Sequence, residues 1–323
     1  MKTIKWGIIG CGDVTELKSG PAFNKVENSE LVAVMRRNSD KAEDYAKRHQ
    51  VLKWYSDAQL MINDPDINAI YIATPPIYHE EYTIAALKAG KPVYVEKPVT
   101  ISEASCVRMA EAAVAFKTKL SVAHYRRALP VFNKVKELLD SKAIGDVRLV
   151  NLQMLQPDKS KIIANSEENW RVDPAISGGG LFHDLAPHQL DLMLYYFGRM
   201  KSICGTSANQ AGFYAADDIV SGNILFESGV IFQGLWCFSV HEAQTKDMCE
   251  IIGSKGKISF PVFGSKITLE VEGNQQVIEF INPKHIQQPM IQQVVNYFLN
   301  LGSNPCSAEQ ATEVMQIMDT FTR

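Results

Sequence analysis

Asp184 and His188 stand four residues apart at the head of an apolar run that follows three glycines, Gly178–Gly180. On a helix that spacing puts both side chains on one face. A carboxylate beside an imidazole orients it and tunes it for general acid/base work near neutral pH. The plainer reading makes Asp184 a helix cap and His188 a packing residue, and the local signal alone favours it. Pro187 bears on the geometry. Proline suits a first helical turn and restricts the residue before it. The pattern therefore predicts a helix that starts near Pro187, with Asp184 in the preceding turn and His188 at the helix start.

A second reactive group is Lys97, in Glu96-Lys97-Pro98. It follows Lys91–Val95, a predicted strand, and the proline stiffens the turn so that the lysine points into the crevice where α/β sheets hold ligands. A lysine so placed stabilises a developing alkoxide by its charge. By itself, a solvated loop lysine explains the same residue.

The elements that would position these groups begin with Ile4–Ile9, an apolar run suited to a strand buried on both faces. It leads into Gly10-Cys11-Gly12-Asp13-Val14-Thr15, a G-x-G-x-x-T turn where a dinucleotide fingerprint must sit. Gly10 permits the tight turn, and Gly12 lets the main chain approach a pyrophosphate at a helix N-terminus. Thr15 is bulkier than the small residue usual there. The next strand, Leu31–Met35, ends in Arg36-Arg37-Asn38-Ser39, with no carboxylate to hold a ribose 2′-hydroxyl. Two guanidiniums favour a 2′-phosphate, and hence NADP over NAD. The alternative is that the arginines merely solvate the start of the helix over Asp40–His49. Glu30 lies at the far end of that strand.

Ile67–Ala73 is another buried-type strand, ending in Thr74-Pro75-Pro76, with His79 at the next helix start as a residue that could line the nicotinamide side. With Ser102–Phe116 (helix) and Leu120–Ala123 (strand), the alternation predicts a doubly wound parallel sheet over residues 1–123. Beyond it, residues 124–323 read as an α+β domain with a large, mainly antiparallel open sheet. Its strands are predicted at Val147–Leu155, Ile219–Phe226, Val230–Phe238, Met248–Gly253, Lys257–Phe260, Ile267–Val271 and Val277–Ile281. Helices are expected over Val131–Leu139, Pro289–Asn300 and Ala308–Phe321, the last two packing back on the first domain.

Composition excludes several classes. At 323 residues, 46% hydrophobic and 21% charged, the chain suits two globular domains. A net charge of −3 and the lack of a basic, aromatic-interleaved run argue against nucleic acid. The six cysteines form no C-x-x-C pair and no metal-ligand spacing, as expected of free thiols in a reducing compartment. No run reaches the roughly 20 apolar residues of a membrane span, and the first residues lack a signal-like core. The expectation is a cytoplasmic protein with no metal.

The glycine turn, Thr74-Pro75-Pro76 with His79, Glu96-Lys97-Pro98, and the glycine-rich segment ending in Asp184 and His188 occur in an order and spacing that closely resemble the Gfo/Idh/MocA family of oxidoreductases. Ala85–Val93 and Trp170-Arg171-Val172-Asp173-Pro174 add to the resemblance, which covers nearly the whole chain. It implies a Rossmann domain followed by a sheet domain whose open face forms a homodimer or homotetramer contact. It further implies hydride transfer between a nicotinamide and a carbinol or ketone of a sugar, polyol or related cyclic substrate; a diol dehydrogenase acting on a cyclic dihydrodiol is a related reading left open. By resemblance Lys97 is the active-site lysine, His188 the proton donor or acceptor, and Asp184 a substrate-binding and orienting group. Glu96, Trp170 and Arg171 join the cofactor residues, and Tyr125 is a candidate substrate contact or core residue. The sequence departs from the family's D-x-G-x-H at Ala186. Two other readings remain: a redox-neutral enzyme that recycles bound NAD(P), and a nucleotide-sensing regulator. The regulator would be expected to lack the lysine or histidine, and both are present.

Overall fold

The computed structural model describes residues 3–160, 162 and 169–322. They divide into two compact units, one of residues 3–125 and 283–315, the other of the remaining described residues.

The first unit is wound on a six-stranded sheet. In chain order it has β1 (Ile4–Ile9), α1 (Asp13–Leu17), β2 (Ser29–Met35), α2 (Ser39–His49), β3 (Lys53–Tyr55), α3 (Ala58–Ile62), β4 (Ala69–Ile72), α4 (His79–Lys88), β5 (Val93–Val95), α5 (Glu103–Ala115) and β6 (Leu120–Val122). The sheet order is β3-β2-β1-β4-β5-β6, every pair parallel. The strands are short, continuous apolar runs because both faces are covered: every residue of β4, β5 and β6 is buried. Strand order reverses between β1 and β4, so the loops leaving their carboxyl ends diverge and open a crevice. β3 is an unexpected strand. It has no apolar run, its Trp54 is 43% exposed, and polar bonds from Lys53 and Tyr55 to Asp64 anchor it at the sheet edge.

The second unit holds α6 (Pro130–Asp140), β7 (Val147–Leu155), α7 (Pro174–Ser177), α8 (Gly180–Phe197), β8 (Met200–Ala208), β9 (Ile219–Phe226), β10 (Ile231–Cys237), β11 (Lys246–Gly253), β12 (Gly256–Phe260), β13 (Lys266–Val271) and β14 (Asn274–Glu279). α9 (Gln288–Phe298) returns to the first unit, and α10 (Ala308–Phe321) runs across the division. The sheet order is β14-β13-β12-β11-β7-β10-β9-β8, antiparallel except for β7 with β10. Burial alternates along β7 and β9, so one face is packed and one is open. β8 went unread because this edge strand buries no side chain fully and shows no alternation.

α8 corrects the expected start at Pro187. The helix begins at Gly180 and runs through Pro187. An interior proline costs about 3 kcal/mol. Against it stand seven buried large apolar side chains, Leu181, Phe182, Leu185, Leu190, Leu192, Met193 and Leu194, each contributing about 1.5–3 kcal/mol. Packing wins. Asp184 and His188 therefore both lie on the helix, one turn apart.

Candidate functional site

In the first unit the predicted cofactor residues gather at the carboxyl ends of β1, β2, β4 and β5. Gly10 has φ +93°, and a Cβ there would stand 2.7 Å from the Thr74 main-chain nitrogen. Only glycine lets the turn after β1 press against the loop after β4. The Gly10 and Cys11 N–H groups both donate to the Met35 carbonyl at 2.9 and 3.2 Å, and Arg36 Nη1 lies 3.5 Å from the Cys11 carbonyl. Gly10, Arg36 and Thr74 are thus brought together. Gly12 stands at the N-terminus of α1 with no side-chain cap, and the nearest atom to a Cβ there would be 3.9 Å away. Asp13 beside it is exposed; Val14 and Pro75 are half-buried. Thr15, the bulky departure, is absorbed by bonding back: its Oγ1 donates to the Gly12 carbonyl at 2.8 Å. Arg37 is exposed, with its guanidinium 4.9 Å from the Tyr78 ring centre.

His79 is fully buried. Its Nε2 lies 2.7 Å from the Thr74 carbonyl, and its Nδ1 lies 3.1 and 3.2 Å from those of Pro98 and Val99. The ring ties the loop after β4 to the turn after β5, and burial lowers its pKa to about 4. In that turn Lys97 is half-buried, and its N–H donates to Glu96 Oε2 at 3.2 Å. Glu96 is buried, facing Tyr71 and Gln287. Tyr125, also buried, ends the unit's first stretch.

In the second unit the site residues are on α8 and the 3₁₀ turn Trp170–Val172. Arg171 Nε lies 3.3 Å from Asp184 Oδ2, and its guanidinium covers the Trp170 ring at 4.4 Å. Gly179 must be glycine: a Cβ there would stand 2.2 Å from the His183 ring. His183 is buried, which lowers its pKa to about 4. His188 is 3% exposed and meets Phe263 edge-on at 5.7 Å. Asp191, one turn further, accepts Arg127 Nε and Nη2 at 2.8 and 2.7 Å. Sequence reading missed Asp191 and Arg127. The signal was present, since 184, 188 and 191 follow the spacing of one helix face.

Residues 4–124 match the family model "Oxidoreductase family, NAD-binding Rossmann fold", and residues 132–259 match "GFO/IDH/MocA C-terminal domain". A protein named Oxidoreductase P35, from Formosa agariphila, is 50% identical over 318 residues, covering 98% of both chains. The chain belongs to the Gfo/Idh/MocA family of oxidoreductases. Within this family, the trans-1,2-dihydrobenzene-1,2-diol dehydrogenase of Xenopus laevis is 27% identical over 292 residues, 88% of this chain and 83% of that one. The Gfo/Idh/MocA fold is matched by a levoglucosan dehydrogenase solved with NADH and levoglucosan. Its TM-score is 0.88 at 21% identity, over 99% of this chain and 96% of that one. No helix among the described residues is long and apolar enough to cross a membrane.

Proposed function

We propose that this oxidoreductase uses NADP, in preference to NAD, to oxidise or reduce a carbinol or ketone on a sugar, polyol or related cyclic molecule. The observation that carries the reading is the face of α8. There a buried histidine stands between two carboxylates, each tied to an arginine, in a chain with an NAD-binding Rossmann fold. The relatives named for a cyclic diol and for levoglucosan support the substrate class.

The residues present fit a dinucleotide. The glycine turn leaves the N-terminus of α1 uncapped by any side chain, and Thr74 Oγ1 is buried without a hydrogen-bond partner among the described residues. Gly10, Gly12, Asp13 and Val14 would hold the pyrophosphate end, with Thr74 and Pro75 beside it and Arg36 and Arg37 on a 2′-phosphate. When bound, the nicotinamide supplies or accepts the hydride. Lys97 holds the carbinol oxygen and stabilises its developing charge. His188 gives or takes the proton that accompanies the hydride, and Asp184 holds a hydroxyl of the substrate. Arg171 fixes Asp184, and Arg127 fixes Asp191 behind the histidine. His79 and Glu96 serve by holding the turns that carry Thr74 and Lys97. The open face of the eight-stranded sheet forms the contact of a homodimer or homotetramer.

The experiment is NADPH or NADP turnover, followed at the nicotinamide absorbance, on a panel of sugars, polyols and cyclic diols. Net consumption supports the reading. Substrate conversion with no net absorbance change would replace it with a recycling enzyme.

A further inference from the structure

Glu96 is a carboxylate buried to 5% exposure at the end of β5, one residue before Lys97. A buried charge persists only where donors satisfy it. Three do so here. Tyr71 O–H and Gln287 Nε2, the latter at 2.6 Å, donate to Oε1, and the Lys97 N–H donates to Oε2 at 3.2 Å. Burial, with the Glu96 charge beside it, holds the Tyr71 phenol well above its ordinary range, so it remains a donor.

Gln287 is the less expected member. It precedes α9 in the N-cap position, yet its side chain makes no cap bond to its own helix. Fully buried, it turns inward to Glu96. Its main-chain N–H donates to the Lys18 carbonyl at 3.2 Å, and His285 Nδ1 lies 2.6 Å from the Leu17 carbonyl. The segment 285–287 therefore holds the C-terminal end of α1, the helix whose other end carries the glycine turn. Glutamine is not among the side chains that usually cap a helix start. Here that side chain is committed to a carboxylate distant in sequence.

We propose that Gln287 is a positioning residue for the Lys97 turn: its amide, with the Tyr71 hydroxyl, orients Glu96 so that the carboxylate holds the Lys97 main chain, and its own main chain ties that turn to the cofactor helix. The lysine's working geometry then depends on a residue from the far end of the chain. The assignment of Lys97 as the group acting on the carbinol rests on the function proposed above; the bond network does not.

The test is amide hydrogen exchange at single-residue resolution on the full chain, comparing wild type, Gln287→Leu and Gln287→Glu. In Gln287→Leu, the Lys97 amide exchanges at least about tenfold faster, while the strand amides of Ile70 and Val93 keep their protection. Wild-type protection at Lys97 overturns the proposal. If the leucine variant loses protection everywhere, Gln287→Glu decides. At low pH the two carboxylates share a proton that replaces the amide donor, so Lys97 protection matches wild type at the same pH. As pH rises and both ionise, it is lost. A glutamate variant that tracks wild type at every pH, or never does, overturns the proposal. Turnover is read separately. In Gln287→Leu kcat falls at least about tenfold while KM for NADPH stays within about twofold; an unchanged kcat overturns the positioning role. If wild type turns over nothing on the panel, the proposed activity fails and exchange alone decides the network.

Discussion

Arg127 grips Asp191 at two points, Nε on one carboxylate oxygen and Nη2 on the other, with side chains 6% and 1% exposed. This pair sits one helical turn beyond His188. Breaking a buried pair from one side strands the remaining charge. Arg127→Met should therefore destabilise the protein by about 3–5 kcal/mol. The double variant Arg127→Met with Asp191→Leu should recover most of that loss, because no buried charge is left. Urea denaturation of the two variants checks this. A double variant no more stable than the single one would contradict the account.

Arg36 and Arg37 are the basis for expecting NADP. Replacing both with Ala should weaken NADPH by about tenfold or more, since each charge-assisted bond to phosphate is worth about 1.5–3 kcal/mol. NADH affinity should change by less than about twofold. Titration by nicotinamide fluorescence measures both, and equal losses would remove the 2′-phosphate from the account.

His79 and His183 are buried, and burial lowers both from 6.5 to about 4. The native state then binds fewer protons than the unfolded chain between those values. Their stabilising contribution is complete above pH 6.5 and is lost as pH falls towards 4, by about 3 kcal/mol at most for each. His79→Gln removes one of these protons. Its stability should therefore fall less steeply with acid, by up to about 1.4 kcal/mol per pH unit in that window. Urea midpoints from pH 7 to 4 measure the slope, and identical slopes would contradict the assignment.

The open face of the second unit's sheet exposes Ile231 and Val277, each by 52%. Multi-angle light scattering should return a dimer or tetramer mass. Ile231→Lys should shift it towards the monomer. A monomeric wild type would refute the contact.

The sequence was most legible where pattern and physics coincide. The β1 run, the glycine turn and the buried strands β4 and β5 could be read because a parallel sheet demands continuous apolar runs and a close turn demands glycine. β3 and β8 were not legible, because edge strands held by polar bonds carry no apolar rhythm. Pro187 misled because a local rule about proline ignores how much of α8 is buried. His79 was correctly placed at the start of a helix. Its enclosure by three carbonyls depends on loops far apart in sequence, which no local pattern records. Asp191 was hidden in an apolar helix whose only clue was its spacing from His188.

The most direct test is steady-state turnover of NADPH by wild type, Lys97→Ala and His188→Ala on the best substrate from the panel, with cofactor affinity measured alongside. Each variant should bind NADPH as wild type does and turn over about a hundredfold or more slowly, the usual scale for losing an acid/base or charge-stabilising group. A variant that binds the cofactor normally and turns over at the wild-type rate would contradict the role assigned to that residue, and two such variants would contradict the mechanism.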